Sequence, residues 1–177
     1  MKYSINNINT KNNFIFFWGH QVSKDGLITK TCFSQWWISP FTVDGIVYET
    51  AEHWMMAKKA ELFNDMEIKD KILSVKSPAE AKKLGREVRN YIDEVWLKER
   101  YEIVKKGNFH KFNQNEDLKT FLLQTNNRII VEASPVDPIW GIGMASDHKD
   151  IENPLKWRGL NLLGFALMEV RDELVKP

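Results

Sequence analysis

From Tyr48 to Ala60 the chain reads Y-E-T-A-E-H-W-M-M-A-K-K-A. Thr50 is placed to N-cap a helix, because its side-chain oxygen can accept one of the backbone N–H groups that the first turn leaves without an intrahelical partner. Ala51 onward is free of glycine and proline, so the helix is expected to continue to about Phe63. Glu52, Met56, Lys59 and Phe63 recur at offsets of four and three and so share one face. A carboxylate and an amine thus lie on a stripe that is otherwise apolar.

Upstream the chain reads as extended. Phe14 to Trp18 is an aromatic, β-favouring run, and Ser39 to Tyr48 has the form of two short strands about an Asp44-Gly45 turn, so a small sheet or hairpin is expected. Downstream it reads as helical. Ser77-Pro78-Ala79-Glu80 has the form of a full capping box with proline at the first helical position. Asp93 and Asn115 are expected to cap two further helices, one reaching about Phe112 and one running through Leu118, Phe121 and Leu122. Arg128 to Glu132 reads as a short buried strand, and Ala133 to Trp157 as a long loop punctuated by Pro135, Pro138, Gly141, Gly143 and Pro154. Loops of that length in compact domains carry function or are disordered. A last helix from about Asn161 to Leu174 places Leu163, Ala166, Leu167 and Val170 on one side. The expected class is mainly α, an α+β fold with a few short strands. One domain over residues 14–177 follows a polar, Asn-rich extension over residues 1–13.

Composition narrows the function. With 177 residues and a formal charge of +1, the chain has room for one well-buried domain and no global field for indiscriminate binding to nucleic acid or membrane. The single Cys32 cannot form an intrachain disulfide, and no segment has the apolar length of a bilayer span or the form of a signal peptide. The expected setting is soluble and cytoplasmic. His20, His53, His110 and His148 show no metal-ligand spacing, so neither a metal nor a cofactor is expected.

Candidate chemistry is confined to a few residues. Glu52 and Lys59 have an ordinary reading, a helix N-terminal acid and a lysine that snorkels to water. They also have a sharper one, in which a desolvated amine and a carboxylate are tuned for nucleophilic or acid/base work. Asp137, between Pro135 and Pro138, is either turn chemistry or an acid held on a stiff loop. Trp140 beside Gly141 and Gly143 is either core with turn glycines or a flat platform where backbone can approach a ligand. Gly141-x-Gly143 lacks the third glycine of a dinucleotide fingerprint. Most of the 7 tryptophans belong in a core, but Trp18, Trp96, Trp140 and Trp157 each neighbour a charge or a glycine. Such rings can stack a heterocyclic base for about 1–3 kcal/mol. Arg86, Lys156 and Arg158 are candidate phosphate ligands.

Several blocks together resemble a known family. They are Phe17-Trp18-Gly19, Phe41-x-x-x-Gly45-x-x-Tyr48, Thr50-Ala-Glu-His53 with Lys59-Ala60 and Phe63, and Gly85-Arg86 with Trp96. Phe112-x-Gln-Asn115, Val131-Glu-Ala-Ser134, Asp137-x-x-Trp-Gly-x-Gly143 and Trp157-x-Gly-x-Asn-x-x-Gly164 follow in the same order. Over about Phe14 to Arg171 the chain resembles the NADAR domain family of YbiA-like N-glycosidases. The resemblance implies a compact, mainly helical fold and an enzyme that hydrolyses N-glycosyl compounds. Its expected partner is a small phosphorylated N-glycoside, namely the phosphoribosylamino-pyrimidine intermediates of riboflavin biosynthesis. The alternatives it leaves open are removal of ADP-ribose from guanine in nucleic acid and a module that binds ADP-ribose or a nucleotide without cleaving it. Carried onto this chain, it implies Glu52, Lys59 and Asp137 as catalytic residues. Trp18, Gly19, Arg86, Trp96, Trp140, Gly141 and Arg158 are implied as substrate-binding.

Overall fold

The computed structural model describes residues 1–175, and within them six α-helices and four short strands in two compact units. The mainly helical class is as expected. One unit is residues 35–115, and the other joins residues 1–34 to the described residues from 116 onward.

The unit formed by residues 35–115 is organised around one helix. Strands β1 (Phe14–Phe17) and β4 (Ile129–Glu132) belong to the other unit, whereas β2 (Phe41–Val43) and β3 (Ile46–Tyr48) form the antiparallel hairpin here. Its Asp44-Gly45 turn has both residues at positive φ, as a tight hairpin of this hand requires. Helix α1 (Ala51–Leu62) follows, with Thr50 Oγ1 accepting from the His53 N–H as the sequence predicts. Helices α2 (Met66–Ser74), α3 (Pro78–Gly85) and α4 (Asp93–Gln114) all pack against α1. Residues Ala51 to Ala57 are consequently buried on every side. Glycines let two of these neighbours come close. A Cβ on Gly85 of α3 would collide with Met56 Sδ, and one on Gly107 of α4 would collide with the Trp54 indole. Trp54 in turn meets Tyr48 edge-on at 5.0 Å and donates from Nε1 to the Ile103 carbonyl at 2.8 Å.

Two local expectations need correction, and one helix was not foreseen. Ser77 does stand before Pro78 at the start of α3, but its side chain makes no capping hydrogen bond, so the capping-box motif marks the helix start without its reciprocal bonds. Asp93 is the first residue of α4 and not its cap, a position where its charge still favours the helix N-terminus, and α4 runs two residues past Phe112 to Gln114. Helix α2 lies in a stretch the sequence reading passed over. Asp65 caps it at the Ile68 N–H, and Arg89 holds the same carboxylate from the side.

The second unit is built on β1 and β4, which pair in parallel with Phe14 opposite Ile129. A parallel pair needs a long crossover, so the aromatic run at Phe14 finds its partner far along the chain and not in the adjacent hairpin. Helix α6 (Leu162–Leu174) covers β4, and α5 (Glu116–Leu123) packs on α6. Gly164 is where α6 approaches the strand, because a Cβ there would run into the Ile130 carbonyl. Leu163, Ala166, Leu167 and Val170 are all buried, as their spacing predicts. Among the described residues, no helix is long and apolar enough to cross a membrane.

Candidate active site

Lys59 has the most distinctive surroundings of the predicted site residues. It leaves α1 near its C-terminal end and is only partly exposed. Its Nζ donates to the Gly85 carbonyl at 2.8 Å, one of the carbonyls that the last turn of α3 leaves over. The amine also lies 4.5 Å from the Tyr91 ring centroid and 5.7 Å from that of Trp96. Burial pushes the Lys59 amine below the usual lysine range. The structure therefore brings together Lys59 and Trp96, and adds Tyr91 and the Gly85 carbonyl, which sequence reasoning missed. The Gly85-Arg86 block carries this carbonyl in its glycine and not in its arginine. Arg86 itself caps α3 through its backbone N–H, and its side chain is exposed.

Glu52 is buried in the first turn of α1, with its backbone N–H donating to the Gln35 carbonyl at 3.0 Å. Seven residues separate it from Lys59, a rise of about 10 Å along the helix. The two are therefore on one face, as predicted, but two turns apart. Gln35 belongs to a buried polar pair that the sequence did not announce. Asn108 Nδ2 donates to Gln35 Oε1 at 2.7 Å, and both residues are buried. Gln35 Nε2 and Asn108 Oδ1 have no hydrogen-bond partner among the described residues. His53, the histidine nearest to Glu52 in sequence, is fully engaged. Its Nε2 donates to the Val75 carbonyl, which fixes Nδ1 as the acceptor for the Thr50 hydroxyl at 2.8 Å.

The remaining predicted residues belong to the unit containing β1 and β4. Asp137 Oδ1 accepts the N–H groups of Ile139 at 2.8 Å and Trp140 at 2.9 Å. That is turn chemistry, and it leaves Oδ2 outside both bonds. The loop is then locked to the approach of α6 by main-chain bonds. Arg158 N–H donates to the Ile142 carbonyl, Asn161 N–H to Gly141 and Leu163 N–H to Trp140. Gly159 is pressed against the Gly141 carbonyl with no room for a side chain. Asn161, at φ 52°, clamps β4 with its amide, accepting from Glu132 N–H and donating to the Ile130 carbonyl. The D-x-x-W-G-x-G and W-x-G-x-N-x-x-G blocks are thus two halves of one interlocked backbone. Gly141 is buried, Trp140 is half-buried and Arg158 is exposed. Trp18 is 56% exposed beside Gly19 at φ 80°, so its ring faces solvent and is not core. Trp157 is buried, and its indole donates to the Ile151 carbonyl.

A helix-rich fold with short strands, a desolvated lysine under aromatic rings and two interlocked glycine motifs defines a class, and comparison with known proteins agrees with it. The chain belongs to the NADAR domain family, whose match spans residues 16–175. It is 42% identical over 165 residues to N-glycosidase R617 of Acanthamoeba polyphaga mimivirus, covering 90% of this chain and 95% of that protein. It is 32% identical over 142 residues to N-glycosidase YbiA of Escherichia coli strain K12, covering 80% of this chain and 78% of the relative. The NMR structure of E. coli YbiA superposes with a TM-score of 0.70 at 28% identity, covering 92% of this chain and 85% of that one.

Proposed function

We propose that this chain hydrolyses the C1–N bond of phosphoribosylamino-pyrimidine intermediates of riboflavin biosynthesis. As an enzyme it is an N-glycosidase, a hydrolase acting on N-glycosyl compounds, like the relatives it matches. The single observation that carries the chemistry is the amine of Lys59. It is shielded by Tyr91 and Trp96, bonded to a backbone carbonyl and depressed in pKa by burial alone. Such an amine keeps a larger neutral, nucleophilic fraction near neutrality than an exposed lysine.

In the proposed reaction the sugar ring opens to an iminium at C1. The Lys59 amine adds to C1, the aminopyrimidine leaves as its free amine, and Lys59 is left joined to the sugar as a Schiff base. Water then adds to C1 and releases the sugar phosphate as its aldehyde, restoring the amine. Overall one C–N bond is exchanged for one C–O bond, with one water consumed. Glu52 and Asp137 are the proposed carboxylates for the proton transfers and for stabilising positive charge at C1. Trp18, Trp96 and Trp140 with Gly19 and Gly141 are proposed for the base, and Arg86 and Arg158 for the 5′-phosphate. The low net charge favours a small phosphorylated substrate over long nucleic acid.

The purified protein should release free aminopyrimidine from the phosphoribosylamino-pyrimidine, followed by mass spectrometry. Borohydride added during turnover should leave the sugar phosphate attached to Lys59. Release from ADP-ribosylated guanine in DNA alone would move the substrate to nucleic acid, and turnover without any adduct would remove the Schiff base. Glu52→Gln should lower turnover by about 10²–10⁴-fold while binding is kept. Equal binding with no turnover by the unaltered protein would leave a binding module.

A further inference from the structure

Tyr91 stands beside the Lys59 amine and belongs to none of the sequence blocks. It follows Asn90, whose positive φ of 57° turns the chain back on itself just before α4 begins. That turn sets the Tyr91 ring 4.5 Å from Lys59 Nζ, and the first turn of α4 then supplies Trp96 on a further side. The ring itself is fixed from two directions. Its hydroxyl donates to Asp93 Oδ1 at 2.7 Å, and its face tilts against Phe63 at a centroid distance of 5.2 Å. Phe63 is the buried residue that ends α1, so the same helix that carries the amine also carries the backstop for the ring.

Resting on the proposed role of Lys59, we infer that Tyr91 is a positioning residue that aims the Lys59 amine. Its ring and the Gly85 carbonyl together fix where Nζ points, and the ring keeps water from the amine without supplying a counter-charge. Three attractions act on the nitrogen, its hydrogen bond to the Gly85 carbonyl at the end of α3 and the negative faces of the Tyr91 and Trp96 rings, and none is a carboxylate. Charged and titratable groups on the elements around Lys59 face other partners or solvent. On α1, Lys58 pairs with Glu61, and Glu61 also takes Lys69 of α2. Asp93 of α4 accepts the Tyr91 hydroxyl, Arg100 of α4 acts on that phenol, and Arg86 at the end of α3 is exposed. Burial is accordingly the cause of the lysine's depressed pKa, and no ion pair among the described residues opposes it.

Tyr91 is 41% exposed, so its replacement leaves the packed interior in place. Competitive reductive methylation with formaldehyde and cyanoborohydride, read residue by residue by mass spectrometry across the neutral-to-alkaline range, reports the amine without any glycoside. The exposed Lys71 serves as the internal reference. In the unaltered protein Lys59 should reach its full methylation rate at lower pH than Lys71. Tyr91→Leu should move its profile toward that of Lys71 and slow its methylation near neutrality severalfold, whereas Tyr91→Phe, which keeps the ring against Phe63, should leave the profile in place. On the N-glycoside, Tyr91→Leu should lower kcat with little change in KM and shift the alkaline limb of the kcat profile. An unchanged Lys59 profile in Tyr91→Leu, or an equal displacement in Tyr91→Phe, would overturn the assignment. Because the methylation arm needs no turnover, an inactive protein whose Lys59 profile responds as stated would count against the N-glycosidase reading and not against the role of Tyr91.

Discussion

Asp137 stabilises its loop by accepting two backbone N–H groups at Oδ1, and the same side chain is a proposed catalytic acid. The two duties respond differently to substitution. Asp137→Asn keeps an oxygen acceptor and removes the charge, so it should retain the fold and lose turnover if the carboxylate acts chemically. Asp137→Ala loses both bonds and should cost about 1 kcal/mol of stability as well. Comparing the thermal midpoint and kcat of the two variants separates the roles, and full activity in Asp137→Asn would remove Asp137 from the chemistry. His53 illustrates the opposite case, a polar residue whose atoms are fully used. Burial holds its imidazole below the usual value, in a tautomer bonded to Thr50 and Val75. The unfolded chain therefore takes up the proton first as pH falls. The stability this ring contributes is complete above about pH 6.5 and is lost as pH drops through the lower folded-state value. Urea midpoints for the protein and for His53→Gln should converge toward acid pH, and parallel curves would exclude this source.

At the scale of elements, α1 shows what sequence can and cannot report. Thr50 marks its start, and the Glu52, Met56, Lys59 and Phe63 stripe is buried at every position but the half-buried Lys59. The sequence did not disclose that over residues 51–57 the opposite face is inward too, because a helical stretch enclosed by three other helices has no polar side to set a period. The hairpin at Asp44-Gly45 was legible through its turn residues, and β1 was legible as a strand, but its partner was not, since pairing at long range leaves no local mark. Of the candidate site, Lys59 and Trp96 proved neighbours, while Tyr91 escaped notice because a tyrosine before a helix carries no motif of its own. The close approach of α4 to α1 gives a test at this scale. Gly107→Ala places a methyl against the Trp54 indole and should cost about 1–3 kcal/mol in a denaturant titration. A neutral result would mean that Trp54 can turn aside without loss.

Across the whole molecule, the Asn-rich leader is laced down. Lys2 N–H donates to Glu169 Oε1, Lys2 Nζ pairs with Asp172, and the Tyr3 hydroxyl donates to the same Asp172 carboxylate at 2.7 Å. Asn12 Nδ2 bonds the Asn127 carbonyl, and Asn13 accepts from Ile129 as β1 begins. Asp172→Ala should therefore speed amide exchange across residues 2–8 while leaving that of α1 unchanged, and an unaltered exchange pattern would show that the other bonds suffice. The parallel pairing of β1 with β4 has a further consequence in time. Phe14 emerges from the ribosome long before Ile129, so the first strand must wait, unpaired, through the synthesis of everything that separates them. The stretch from 35 to 115 forms a compact unit of its own and can settle during that wait. Assembly of this chain should then run from the middle outward, with the closing of a long loop as its slow and entropically costly last act.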